Sequence, residues 1–163
     1  MSNRRADILP DNIIEASVAA AFLEDFAENG DITTKGVISP GYPASARLIA
    51  REEGVIAGLS VAARVFAALD PETAFEPACS DGDPVSPGRT IARVSGTART
   101  LLSGERTALN FIQRMSGIAA LAAMFCEKVK DLPVVLLDTR KTTPGLRRFE
   151  KYAVSCGGVR NHR

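Results

Sequence analysis

Residues 136–145 read Leu136-Leu137-Asp138-Thr139-Arg140-Lys141-Thr142-Thr143-Pro144-Gly145. With Val134 and Val135 in front, an unbroken apolar run meets an acid, then two adjacent cations, then a turn. An apolar run of this length predicts a strand buried on both faces, the pattern of parallel sheets packed between helices. Cations where such a strand ends sit where α/β folds place their ligand sites. Neighbouring side chains on a strand point to opposite faces, yet a turn directly after it can bring both to one pocket. Arginine would offer a planar fork for carboxylate or phosphate, and lysine a movable point charge. A solvated, charged strand end is the competing reading, and fold-level reasoning alone leaves the two near even.

Charge separates this stretch from what precedes it. Residues 1–137 carry 13 basic and 17 acidic side chains, whereas residues 138–163 carry 7 and 2, so the net charge of +1 hides a basic C-terminal segment. Such a segment can meet nucleic acid. Here only Phe149 and Tyr152 interrupt it, and no nucleic-acid motif is present, so a small anionic ligand fits better than nucleic acid. With 45% hydrophobic and 24% charged residues the composition is that of a globular protein. No unbroken apolar run approaches the roughly 20 residues needed to span a bilayer, and residues 1–7 lack the apolar region of a signal peptide. A cytoplasmic protein without membrane partners is the expectation. Cys79, Cys126 and Cys156 lie far apart without a CxxC pair, which favours free thiols over a disulfide or a zinc site.

Periodicity upstream predicts an α+β arrangement. Ile14, Val18, Phe22 and Phe26 recur every four residues behind an Asn12…Glu15 capping box, a helix ending near Asn29-Gly30. Residues 44–51 read as a strand, and Glu53-Gly54 as a turn into Val55-Ile56-Ala57. Ser60 can cap a helix with Val61, Val65, Phe66 and Leu69 inward, stopped by Pro71. Between Phe75 and Ser95, short strands alternate with the turns Asp81-Gly82-Asp83-Pro84 and Pro87-Gly88, as in hairpins. Ser103 caps a helix over 105–115, Ser116-Gly117 interrupts it, and a second helix carries Ile118, Leu121, Ala122, Phe125 and Val129 on one face. A short helix is predicted over 147–154. The domain division is therefore an α+β N-terminal domain, residues 1–112, followed by the start of an α/β domain, residues 113–163.

Two further places bear on chemistry. Arg106 falls in the first turn of its predicted helix, where a cation opposes the macrodipole; helix stability alone would prefer an acid. His162 is the only histidine, which excludes a histidine-rich metal site. A lone histidine is more often structural than functional, but this one stands between Asn161 and Arg163, just after a glycine turn that lets backbone approach a ligand closely.

Three segments carry a family resemblance: Glu105-Arg106-Thr107-Ala108-Leu109-Asn110, the stretch 136–145, and Gly157-Gly158-Val159-Arg160-Asn161-His162-Arg163. They closely resemble quinolinate phosphoribosyltransferase (nicotinate-nucleotide pyrophosphorylase, carboxylating), a family of NAD biosynthesis. The likeness runs from the helix of residues 12–26 to the last residue, with Val159 where the family often has a third glycine. It implies that the second domain is an α/β barrel, of which this chain holds the opening, so that the 163 residues alone are expected to be inactive. It also implies phosphoribosyl transfer from phosphoribosyl pyrophosphate to quinolinate, with decarboxylation. By likeness, Thr139, Arg140 and Lys141 line the substrate site, while His162 and Arg163 belong to the pyridine-dicarboxylate pocket. Arg106 reaches the partner subunit's site in a homodimer, and catalytic roles fall to Arg106, Lys141 and His162. The Mg²⁺ that holds pyrophosphate in the family is expected on acids beyond residue 163, leaving no metal ligands in this chain. Two other readings compete. One is the phosphoribosyltransferase-like paralogue found with molybdenum transport. The other is a biotinyl or lipoyl module, suggested by the Asp81–Val85 hairpin grammar but lacking any lysine between Lys35 and Lys128.

Overall fold

The computed structural model describes residues 8–26 and 30–162. Helix α1 spans Asp11–Phe26 and α2 Ile32–Val37, followed by strands β1 (Pro43–Ile49) and β2 (Gly54–Val55) and helix α3 (Leu59–Leu69). Strands β3 (Ala74–Pro77), β4 (Pro84–Val85) and β5 (Thr90–Thr97) then precede the long helix α4 (Ala98–Val129) and helix α5 (Arg147–Cys156).

Strand β5 organises the α+β part. It pairs antiparallel with β1 on one edge and β3 on the other. Ala92 and Val94 are buried while Arg93 and Ser95 are exposed, the alternation of a sheet with one wet face. The turns read from the sequence are present, but they do not join neighbouring strands. Gly82 and Gly88 take φ of 93° and 86°, and between them β4 leaves the sheet to pair with β2. Ile91 follows it into a small second core with Ala50, Ile56, Leu59 and Val85.

The main core lies between helices and sheet. Ile14 and Val18 of α1, Val61, Val65 and Phe66 of α3, and Ala108, Ile112 and Met115 of α4 pack there with Val94. Fully burying a large aliphatic or aromatic side chain stabilises by roughly 1.5–3 kcal/mol, so this cluster dominates the fold. Phe149 and Ala153 of α5 belong to the same cluster, which ties the basic C-terminal segment to the N-terminal layer. Gly104 explains the approach of α3 to α4: a Cβ there would lie 2.8 Å from the Phe66 ring.

Five local expectations need correction, the first at α1, which begins at Asp11, so that Asn12 lies inside the helix instead of capping it. Helix α4 begins after Thr97, whose Oγ1 accepts from Thr100 N–H at 3.2 Å, so Ser103 is not its cap. Nor do Ser116 and Gly117 interrupt it. Ser116 Oγ instead accepts from Ala57 N–H at 3.0 Å, and a mid-helix glycine costs only about 1 kcal/mol against this packing. Helix α3 starts at the left-handed Gly58 without a side-chain cap of its own; Leu59 N–H donates to Asp81 Oδ1 at 3.1 Å. Residues 134–137 form no regular strand: Leu137 and Arg160 make an isolated parallel bridge, and Val134, Val135 and Leu137 are 52–58% exposed. Hydrophobicity predicts a wish to be buried, whereas burial needs neighbours, and here the run has a neighbouring segment at one bridge. The predicted helix end at Asn29 lies outside the described residues, while Gly30 takes φ of 67° and bonds back to Phe26 O at 3.0 Å.

Residue 112 lies inside α4, which therefore crosses the predicted domain division without a break. By length and composition alone α4 could cross a bilayer. Its stripe of Leu101, Gly104, Ala108, Ile112, Met115, Ala119 and Ala122 is buried, the arrangement of a core helix.

Candidate functional site

The parallel bridge brings the two sequence motifs together. Arg160 N–H donates to Leu136 O at 3.2 Å, and Asp138 N–H donates to Arg160 O at 2.9 Å. Residues 138–142 thus leave one segment beside residues 160–162 of the other. At their junction the Asp138 side chain is only 3% exposed. One oxygen pairs with Lys151 of α5; the other accepts from His162 N–H at 2.8 Å and lies 3.5 Å from His162 Nδ1. Burial pushes the Asp138 carboxyl up, but Lys151 and the His162 N–H outweigh it and hold it below the ordinary aspartate value. The site contains a fixed negative charge as well as its cations.

The loop after Asp138 is pinned by its own side chains. Thr139 Oγ1 accepts from Lys141 N–H at 3.0 Å, turning the chain between the two residues. Arg147 Nε donates to Thr142 Oγ1 at 3.0 Å and its Nη2 to Arg140 O at 3.4 Å. Glu150 takes Thr143 N–H at 3.1 Å and pairs with Arg114, whose Nη2 also reaches Thr143 Oγ1 at 2.6 Å. Arg140 and Lys141 themselves are exposed, and among the described residues neither side chain has a hydrogen bond or ion pair. Unneutralised cations on an anchored backbone suit an anionic ligand.

A cavity of about 600 Å³ lies between this loop, α4 and α5, within the size range of small-molecule sites. Thr139, Lys141, Asp138, Lys151, Gln113 and Arg114 line it. Thr139 and Lys141 thus both face this cavity. Arg140 sits between them in sequence but does not line this cavity. His162 joins through Asp138, and Arg163 lies outside the described residues. Gly158 supplies the turn before it with φ of 91°, and Val159 N–H closes back on Val154 O at 3.2 Å.

Arg106 is elsewhere. It is well inside α4 rather than in a first turn, so the macrodipole argument does not apply to it. Its side chain is 73% exposed, pairs with Asp25 of α1 at 2.7 Å and does not line the cavity. Sequence reading missed Asp138, Lys151 and the Arg114–Glu150 pair. Only Asp138 had a signal, an acid closing an apolar run immediately before two cations.

Comparison with known proteins decides the family. "Quinolinate phosphoribosyl transferase, N-terminal domain" matches residues 31–116, and the C-terminal domain of the same family matches residues 118–163. The chain belongs to the quinolinate phosphoribosyltransferase family. A probable carboxylating nicotinate-nucleotide pyrophosphorylase of Synechocystis is 41% identical over 155 residues, 95% of this chain and 52% of that protein. The decarboxylating quinolinate phosphoribosyltransferase 1 of Nicotiana glauca is 40% identical over 92% of this chain and 42% of its own length. The crystal structure of NadC from Streptococcus pyogenes superposes with a TM-score of 0.90 at 42% identity, covering 95% of this chain and 56% of that one. The chain spans about half the length of the curated relatives it matches. Its helices and antiparallel strands are the family's N-terminal α+β domain, and its last third is the start of the barrel domain. The junction of the two family matches, like residue 112, falls within α4.

Proposed function

We propose that this protein, at its natural length, transfers a phosphoribosyl group from phosphoribosyl pyrophosphate to quinolinate and releases pyrophosphate and CO₂. One observation carries the reading: among the described residues Arg140 and Lys141 have no hydrogen bond or ion pair, on a pinned loop whose parallel neighbour leads into His162. Quinolinate has two carboxylates and its co-substrate several phosphates, so binding both requires fixed cations. Arg140 grips a carboxylate by its fork, Lys141 supplies a mobile charge at the cavity wall, and Thr139 contributes its hydroxyl. His162 and Arg163 serve the pyridine side. The pyridine nitrogen then attacks the anomeric carbon, with the pyrophosphate oxygen leaving with its electron pair. The pyridinium so formed accepts the electrons of the breaking C–CO₂ bond, and the ring carbon gains a proton in place of the carboxylate. Cations already in position stabilise charge along this path without reorganising.

Arg106 acts, in this reading, across the interface of a homodimer in the cytoplasm. Its outward position, away from its own chain's cavity, supports that assignment. The Mg²⁺ expected with the family has no cradle among the described residues: no three His, Cys, Asp or Glu side chains converge, and both Asp138 oxygens are engaged. The biotinyl or lipoyl alternative loses its motif, since the supposed hairpin tip is held by Tyr152, whose hydroxyl donates to Asp81 Oδ2 at 2.7 Å. The molybdenum-transport alternative has no counterpart among the relatives named above.

The test is turnover. Quinolinate labelled at its 2-carboxylate, given with phosphoribosyl pyrophosphate to the natural-length protein, should release labelled CO₂ in step with nicotinate mononucleotide. Release without phosphoribosyl pyrophosphate, or none with it, would overturn the assignment.

A further inference from the structure

The Arg114–Glu150 pair does more than join two helices. Arg114 stands in α4 between the buried Ile112 and Met115, and Glu150 follows the buried Phe149 in α5. Thr143, on the loop, closes a ring with them. Its N–H donates to Glu150 Oε2 at 3.1 Å, its Oγ1 accepts from Arg114 Nη2 at 2.6 Å, and the same Nη2 pairs with Glu150 Oε1. Burial pushes the Glu150 carboxyl up, but Thr143 and Arg114 outweigh it and hold it below the ordinary glutamate value. Arg114 and Glu150 line the cavity of about 600 Å³ described above and, on their other side, one of about 560 Å³ between α1, α4 and α5. With open space on both sides the pair fills no part of the core, so packing does not account for it.

We propose that Arg114 and Glu150 are positioning residues for substrate binding, which grip Thr143 from two core-seated helices and so hold the loop that presents Lys141 to the cavity. The inference rests on the reading of Lys141 as a substrate contact; the hold on the loop itself is a property of the ligand-free protein. Among the described residues the Lys141 side chain has no hydrogen bond or ion pair, so its backbone alone sets where its charge lies. That backbone is tied at Asp138, whose N–H donates to Arg160 O at 2.9 Å, and again at Thr143. Between the two ties Thr139 Oγ1 takes the Lys141 N–H at 3.0 Å. Arg147 also touches this stretch, but from an exposed position at the start of α5. Without the tie at Thr143 the loop must be ordered when the ligand binds, which subtracts from the affinity.

Hydrogen exchange in the ligand-free, natural-length protein reads the hold directly, at an amide bonded to neither residue of the pair. Lys141 N–H should exchange roughly tenfold faster in Glu150→Ala and several-fold faster in Thr143→Val, which keeps its own N–H and shape but loses the hydroxyl. Thr143 is exposed on the loop, so this second variant decides even where Glu150→Ala does not fold. Unchanged exchange at Lys141 in Thr143→Val would overturn the proposal. Calorimetry with quinolinate supplies a readout that a merely structural role would not move. Glu150→Ala should weaken binding roughly tenfold when Lys141 is present and by less than about twofold in a Lys141→Ala background, a double-mutant cycle. The same loss in both backgrounds would also overturn the proposal, because Glu150 would then act on binding by a route other than Lys141. If the unmodified protein binds no quinolinate, the proposed function fails, while the exchange result still decides this inference.

Discussion

Phe149→Ala is expected to destabilise the chain by ~3–5 kcal/mol, the cost of deleting a buried aromatic ring and leaving a cavity. Phe149 is 2% exposed and lies 5.5 Å from the Phe111 ring in a tilted pair. That geometry adds about 0.5–1.5 kcal/mol beyond the area buried. Polar contacts also hold helix α5, the Arg114–Glu150 pair and the Tyr152–Asp81 hydrogen bond among them, but Phe149 is its one large buried side chain. Ala153 is its other buried residue, and the chain beyond closes on α4 at Gly157, where even a Cβ would meet Ala119 O at 2.3 Å. The loss should therefore reach the site as well as the core, since α5 carries Lys151 and leads directly into residues 157–162. Urea denaturation followed by far-UV circular dichroism measures the cost. A loss of unfolding free energy of less than about 1 kcal/mol would mean that α5 is not seated against α4, contrary to the packing described.

The second large effect is one of loss and recovery. Arg106→Ala and Arg140→Ala should each abolish turnover in the natural-length protein, and a mixture of the two should regain it in part. In a heterodimer with sites shared between subunits, one site keeps both arginines and the other loses both. Equal amounts with free subunit exchange should then return about a quarter of the unmodified activity, from half the dimers carrying one good site of two. Exchange must be shown separately, by mass spectrometry of the native dimers. Demonstrated exchange with no recovery would place Arg106 and Arg140 in the same subunit's site. The Arg106–Asp25 pair at the surface contributes little to stability by itself, so unfolding does not supply an easy alternative explanation for inactivity.

The two halves of the chain were legible to different degrees, for a physical reason. Helices α1, α3 and α5 announce themselves because a buried face repeats every three to four residues within one segment. Strand β5 was legible only as one of several short strands between Phe75 and Ser95, without its bounds or its neighbours. What a sequence window cannot contain is a partner from far away. The cap of α3 comes from Asp81, 22 residues later, and Ser116 spends its hydroxyl on Ala57 instead of ending α4. The run at residues 134–137 misleads for the opposite reason: its composition is that of a buried strand, but a single bridge to Arg160 is its strand pairing among the described residues. In the site, family likeness marked Thr139, Arg140, Lys141, His162 and Arg163, where the residue pattern alone left function and a solvated strand end near even. Lys151 carried no signal at all. It becomes important only when α5 places it against Asp138, and that placement depends on Phe149 in the core.

The account turns on Arg140 reading a carboxylate with its fork, and one substitution isolates that property. Arg140→Lys keeps the charge on the same pinned loop and removes only the bidentate geometry. Calorimetric titration of quinolinate into the natural-length protein and into this variant compares the two directly. The variant should bind more weakly by ~1–3 kcal/mol, the worth of a charge-assisted hydrogen bond, or roughly five- to 150-fold in Kd. Equal affinities would contradict the account, since the charge would then suffice and the arginine would have no part in recognising the substrate.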